Sequence, residues 1–182
     1  MERQRSVYRR GAEDGLIMGP LMAVTVIMMG AAGYVPLLAL PAVFGFIAVP
    51  VTAYILLSRS FREDGGRSTF SALWLQGICG FFFGGLLMAV AVFVALRWVW
   101  PGYITDQMRL LAELLAQQPA AEAEQLSRLF EKSVAAGNVP APIDMALELI
   151  YVVVFTGSLL SMLLALLIRA RRRPEPPKFE NK

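Results

Sequence analysis

Residues 15–58, GLIMGPLMAVTVIMMGAAGYVPLLALPAVFGFIAVPVTAYILLS, contain no charged side chain. A helix crosses the hydrocarbon core of a membrane with about 20 residues. A charge-free run of this length therefore predicts two membrane-spanning helices joined by a tight turn. The turn residues Gly30, Gly33 and Pro36 divide the run, so that the predicted spans are 15–33 and 36–57.

Two more apolar runs follow. Residues 68–96 carry no charge, and the run ends at Arg97 among tryptophans that suit the headgroup level of a membrane. We place the third span at 72–97 and the fourth at 143–168, where it stops at a cluster of arginines. The sequence thus predicts an all-α fold, an integral membrane four-helix bundle.

Residues 1–168 are expected to form a single membrane domain. The basic tail 169–182 is rich in proline and lacks an apolar pattern, which is typical of disorder. The first apolar run has no evident cleavage pattern of a signal peptide, so we interpret it as a retained span.

The segment 102–142 differs from the spans because polar and apolar residues alternate at helical spacing. An apolar stripe predicts an amphipathic helix and comprises Ile104, Met108, Leu111 and Leu115. Pro119 is expected to break that helix, and a second, weaker amphipathic helix to run through Leu126, Leu129, Phe130 and Val134. The segment predicts an amphipathic helical hairpin between spans 3 and 4.

The composition supports a membrane and argues against nucleic acid as a partner. The chain is 57% hydrophobic and 17% charged, with a mean hydropathy of +0.57, whereas soluble domains are about 25% charged. The net charge is +3, but most basic residues flank the apolar runs, where they set membrane topology.

Basic residues are distributed unevenly between the two sides of the predicted membrane. Thirteen fall on the side of the termini: Arg3, Arg5, Arg9, Arg10, Arg59, Arg62, Arg67, Arg169, Arg171, Arg172, Arg173, Lys178 and Lys182. The other side has four, Arg97, Arg109, Arg128 and Lys132. By the positive-inside rule, both termini are cytoplasmic and the helical hairpin is extracytoplasmic.

No residue pattern predicts catalysis or a cofactor. The chain has no histidine and a single cysteine, Cys79, which leaves almost no material for a metal site and none for an intrachain disulfide. It also lacks a phosphate-binding glycine loop that opens a helix. We expect no catalytic residue, no metal and no cofactor, and therefore a protein that is not an enzyme.

Three groups of residues are candidates for binding. Glycines in the third span indicate close helix packing, either within the chain or with a partner: Gly77, Gly80, Gly84 and Gly85. Asp144 and Glu148 share one helix face and form a possible polar site, or an interfacial pair that supports the helix N-terminus. Arginines after the fourth span predict either contact with anionic lipid headgroups or a stop-transfer anchor: Arg169, Arg171, Arg172 and Arg173.

Two segments carry a family resemblance. They are YRRGAEDGLIMGP at 8–20 and FREDGGRSTFSALWLQG at 61–77. With the long helical loop before the last span, they resemble an uncharacterised family of small four-span inner-membrane proteins of Bacteroidetes, a domain of unknown function. The resemblance implies the inner membrane of a Gram-negative cell and no established activity.

We therefore expect a non-enzymatic membrane protein, a scaffold or accessory subunit whose helical loop or third span contacts a partner. The lipid bilayer is its surroundings, and its partner is a second copy or another membrane protein. One alternative is a small transporter or channel that acts as an oligomer. A second alternative is a lipid-interacting accessory subunit of a membrane glycosyltransferase, with a headgroup held near Arg59, Arg62 and Arg67.

Overall fold

A computed structural model of the chain describes residues 6–118 and 121–171, whose regular structure is entirely helical. The helices are α1 (Val7–Ala31), a short 3-10 helix (Pro36–Leu38), α2 (Ala39–Glu63), α3 (Phe70–Val94) with a π-helical continuation (Ala95–Val99), α4 (Tyr103–Ala116), α5 (Ala121–Ala135) and α6 (Pro142–Ala170). In this part of the chain, α1, α2, α3 and α6 are long and apolar enough to cross a membrane. Four such helices fit a multi-pass membrane protein.

The helices extend beyond the predicted spans because helical hydrogen bonding continues where the apolar run ends. Helix α1 begins at Val7 and α2 ends at Glu63. Asp14, directly before the predicted first span, lies about two turns inside α1. Pro119 and the tail from 172 onwards lie outside the described residues.

Local sequence explains where several helices start and stop. The Ser6 hydroxyl accepts a hydrogen bond from the backbone N–H of Arg9 at 3.4 Å, at the start of α1. After α2, Gly65 and Gly66 adopt φ angles of +61° and +72°, a region that only glycine enters at no steric cost. The chain can thus reverse direction directly after α2.

Helix α3 lies between α1 and α6. It runs parallel to α1, since Gly15 lies opposite Phe83 and Gly19 opposite Leu87. It runs antiparallel to α6, since Gly77 lies opposite Ser161 and Gly85 opposite Val153. Helix α2 packs mainly on α1 and only lightly on α3 and α6. The bundle is therefore tight around α3 and more open beside α2.

The buried core is apolar and lies along α3 and its neighbours. Its members are Met18, Met22, Ala23, Ala53, Leu57, Phe61, Leu73, Phe81, Met88, Val92, Leu164, Ala165 and Ile168. Many large apolar side chains on the outer faces are exposed, such as Phe44 at 69% and Phe155 at 67%. An outward-facing apolar surface is what a bilayer covers.

Helix α4 is attached to the bundle by aromatic rings. The rings of Tyr34, Trp100 and Tyr103 lie with their centroids 6.1–6.4 Å apart. Tyr103 and Trp100 also lie near Gly30 at the end of α1. The first turn of α4 thus rests on the turn between α1 and α2, at the bundle end remote from the N-terminus.

Candidate functional site

A cluster of polar side chains occupies the opposite end of the bundle, where α1 begins, α2 ends and α3 begins. We call it the polar cluster; it consists of Arg10, Asp14, Ser60, Asp64, Ser68 and Gln76. Five of these six residues lie in the two segments that carry the family resemblance, and the sixth, Ser60, directly precedes the second segment. The tertiary structure therefore brings the two segments together.

Gln76 is at the centre of the polar cluster. Its Nε2 donates one hydrogen bond to Asp14 Oδ2 and another to Ser60 Oγ, both at 2.7 Å. The Gln76 side chain is almost completely buried, with a residue exposure of 3%. One amide group thus connects α1, α2 and α3, and the hydrogen bond to a carboxylate is of the stronger, charge-assisted kind.

Arg10 and Asp64 form an ion pair beside this amide. Arg10 Nη1 lies 2.8 Å from Asp64 Oδ1 and 2.9 Å from Oδ2, with side-chain exposures of 16% and 26%. Ser68 Oγ also donates to Asp64 Oδ2. Burial alone would raise the pKa of Asp64, but the hydrogen bonds from Ser68 and Arg10 and the charge of Arg10 hold the pKa below its usual value.

Close approach of two helices makes the polar cluster possible. Gly11, Gly15 and Gly19 lie four residues apart on the face of α1 that meets α3. A Cβ atom added at Gly15 would lie 2.6 Å from the Cβ of Phe83, and one added at Gly19 would lie 2.8 Å from Leu87. Without these glycines the two backbones would be farther apart, and Asp14 would not reach Gln76.

Sequence reasoning missed this arrangement. The predicted first span begins directly after Asp14, and the prediction of close helix packing included only the glycines of α3. The spacing of Gly11, Gly15 and Gly19 is the same small-residue pattern on α1, and it was the available signal. The pairing of Arg10 with Asp64 has no local signal, because 54 positions separate the two residues.

The glycines predicted in the third span all make contacts within the chain. Gly80 and Gly84 face α1, where their neighbours include Asp14 and Met18. Gly77 faces Ser161 of α6, and Gly85 faces Val153 of the same helix. Their close contacts are therefore with α1 and α6.

The predicted stripe of α4 is divided between two environments. Ile104, Met108 and Leu115 are half-buried, whereas Leu111 is 44% exposed. The fully buried residue of α4 is Ala112, on the face that packs on α5. The buried residues of α5 include Ala123 and Ser127. The fully buried side chains of α4 and α5 are thus small ones.

The remaining candidates that the structure describes are exposed. Asp144 Oδ2 accepts a hydrogen bond from the backbone N–H of Ala141 at 3.0 Å, at the start of α6, and Glu148 is exposed one turn later. Arg171 Nη1 donates to the hydroxyl of Tyr54 at 3.0 Å, and Arg169 is exposed. Arg172 and Arg173 lie outside the described residues.

The arginines proposed to hold a lipid headgroup also lie near the polar-cluster end. Arg59 pairs with Glu63 at 2.9 Å, and Arg62 Nε donates to the backbone carbonyl of Ser58 at 3.3 Å. Arg67 is exposed in the turn after α2. Within residues 6–118 and 121–171, no group of three or more His, Cys, Asp or Glu side chains could hold a metal ion.

Comparison with known proteins adds a family. Residues 13–170 match the family model described as a protein of unknown function (DUF4199). The chain belongs to this family. The DUF4199 match contains every member of the polar cluster except Arg10, and it confirms the expected domain of unknown function. No curated protein and no solved structure matches the chain.

Proposed function

We propose that this DUF4199 protein is a non-enzymatic accessory component of the inner membrane of a Gram-negative cell, which contacts a partner protein through α5. Both termini are cytoplasmic in this proposal, and α4 and α5 form an extracytoplasmic hairpin. The uneven distribution of basic residues supports this orientation. The observation that carries the proposal is the surface that α4 and α5 leave uncovered.

Helix α4 presents two opposite faces. At 100° per residue, Ala112 lies half a turn around the helix from Tyr103. Tyr103 contacts the end of the bundle, whereas Ala112 is on the face buried against α5. Helix α5 therefore forms a second layer, separated from the bundle by α4.

Leucines on the two helices then have different surroundings. Leu110 and Leu114 follow Tyr103 along the same face of α4 and are 48% and 51% exposed. We propose that this face lies at the level of the membrane surface and that lipid covers it. Leu126 and Leu129 on α5 are 47% and 59% exposed. Because α5 lies in the outer layer, a protein surface is the proposed cover for them.

Two features favour an accessory role over transport. The polar cluster is confined to one end of the bundle, and a cavity at the middle of the bundle is lined mainly by apolar side chains. A transporter commonly has ionisable residues deep in its bundle. Asp144 and Glu148 are not deep in the bundle: both are exposed near the start of α6, at the end opposite the polar cluster.

The test is chemical crosslinking of the full chain in native membranes. We expect a crosslinked species of defined mass with the unchanged chain, lost in a double variant with Leu126→Ser and Leu129→Ser. The matched control is Leu110→Ser with Leu114→Ser, which should retain the crosslink. A chain that remains a solitary monomer under all conditions would overturn the proposal, as would equal loss in both double variants.

A further inference from the structure

A cavity of about 300 Å³ lies in the middle of the bundle, among all four long helices. Its floor is formed by Met22, Phe81 and Met88, whose exposures are 5%, 4% and 1%. Phe46 of α2 and Thr156 of α6 also line it, and both are exposed. The cavity is therefore open at the side, between α2 and α6, where the two helices pack only lightly.

The chemistry of the lining is that of a hydrocarbon site. No lining residue is ionisable, and the polar side chains are two threonines. Thr25 Oγ1 donates to the carbonyl of Leu21 and Thr156 Oγ1 to that of Val152, each at 2.7 Å. Both hydroxyl protons are thus used within their own helices. The two hydroxyl oxygens can still accept a hydrogen bond, but the lining side chains offer no free donor, and ordered water typically makes about three hydrogen bonds.

The depth of the cavity identifies what lies outside its opening. Thr156 is at the middle of α6, and Phe46 is in the first half of α2. Their neighbours Phe155 and Ile47 are exposed apolar side chains at the same level. The opening is continuous with the outer apolar surface of the four candidate spans, so the medium at the opening is lipid hydrocarbon.

We propose that this cavity binds one acyl chain of a membrane phospholipid, which enters between α2 and α6. An empty space of this size would leave its lining without dispersion contacts, and an acyl chain supplies them. A complete helix is about 10 Å across, too wide for the space. Because the lining lies at the middle of the spans and toward the end that bears α4, the chain comes from the leaflet opposite the polar cluster.

The test is photolabelling of the full chain in vesicles of phosphatidylcholine that contain a phosphatidylcholine with a diazirine in one acyl chain. Labelled residues are then located by mass spectrometry. We expect adducts on Met22 and Met88, because lipid outside the bundle cannot reach side chains so deeply buried. Labelling of exposed Phe155 without labelling of the floor would overturn the proposal.

A pair of valine variants on α2 provides the control. Val49 lines the cavity, whereas Val51 is 51% exposed and is not part of the lining. Val49→Phe should reduce labelling of the floor by about tenfold, the factor expected when about two methylene groups are excluded from an apolar site. Val51→Phe should leave it unchanged. Unchanged labelling in Val49→Phe would refute an acyl chain in the cavity.

A second pair keeps the test valid if Val49→Phe fails to fold. Thr156→Phe narrows the opening from the exposed surface of α6, and Val152→Phe adds the same ring one turn earlier, outside the lining. Only Thr156→Phe should reduce floor labelling. The proposal would be overturned if the floor remained unlabelled and the unchanged chain formed a dimer that Thr156→Phe dissociates. That result would show that a second copy covers the opening.

Discussion

The contact between α1 and α3 allows a sharp prediction about two glycines. Gly15 and Gly84 lie on facing sides of the same interface. A Cβ at Gly15 would lie 2.6 Å from the Cβ of Phe83 and 3.0 Å from the carbonyl oxygen of Gly80. A Cβ at Gly84 would lie 3.4 Å or more from every neighbour, which is ordinary van der Waals contact. Gly15→Ala should therefore destabilise the bundle, and Gly84→Ala should not.

The magnitude follows from the shift that each alanine requires. Carbon atoms pack best at about 3.5–4.0 Å, so Gly15→Ala must separate the helices locally by about 1 Å. Overpacking of this kind costs about 1–3 kcal/mol. The shift also lengthens the 2.7 Å hydrogen bond between Gln76 and the adjacent Asp14, and a hydrogen bond to a charged group contributes about 1.5–3 kcal/mol.

Helix propensity opposes this cost, because alanine is favoured over glycine by about 1 kcal/mol in a helix interior. We expect Gly15→Ala to lower the free energy of unfolding by about 1–4 kcal/mol and Gly84→Ala to change it by about +1 kcal/mol or less. The assay is equilibrium unfolding in mixed micelles, with helix content followed by circular dichroism.

The comparison between the two variants decides whether the reasoning holds. Equal destabilisation by the two alanines would mean that α1 and α3 approach each other symmetrically, contrary to the distances. A neutral Gly15→Ala would mean that the helices do not approach as closely as the structure has them. Either result would refute the explanation of how Asp14 reaches Gln76.

Three further outcomes test the rest of the structure. Asp64→Asn should lower the free energy of unfolding by about 1–3 kcal/mol because Arg10 loses its charged, half-buried partner. In the unchanged chain the pKa of Asp64 is depressed, so this contribution is present above pH 3.8 and is lost as the pH falls toward the folded-state pKa, which unfolding at several pH values would measure. Gln76→Leu should cost about 1–3 kcal/mol. In the same unfolding assay, the double variant with Gly15→Ala should lose less than the sum of the two single losses, because the hydrogen bond between Gln76 and Asp14 is removed only once. Trp100→Ala should speed proteolysis within α4 and α5, whereas Trp98→Ala, at a side chain 67% exposed, should not.

The polar cluster shows how far sequence patterns reach. Charge-free runs indicated the four long helices directly, since hydrocarbon length and charge exclusion are properties of each segment alone. The same criterion started the first span directly after Asp14 and did not show that helix α1 begins about two turns earlier. A carboxylate is tolerated two turns inside α1 because Gln76 of α3 donates to it, and no local pattern contains that donor.

The glycines of α3 also separate what the sequence predicts from what the tertiary structure decides. A four-residue spacing in Gly80 and Gly84 indicated that a close helix contact exists, because small residues permit one. It did not indicate which helix is the partner, or that the steric demand is greater on α1. Those properties depend on how the two backbones are positioned, and the added-Cβ distances at Gly15 and Gly84 differ for that reason.

By itself, the sequence determined that the described part of the chain is helical, that four of its helices are apolar along a membrane-spanning length, and that two shorter helices separate the third from the fourth. These are short-range consequences of periodicity and hydropathy. Only the tertiary structure decided that α3 lies between α1 and α6, that Arg10 meets Asp64, and that an apolar cavity opens between α2 and α6. Each of these depends on contacts between segments distant in the chain, where packing geometry and not local composition selects the neighbours.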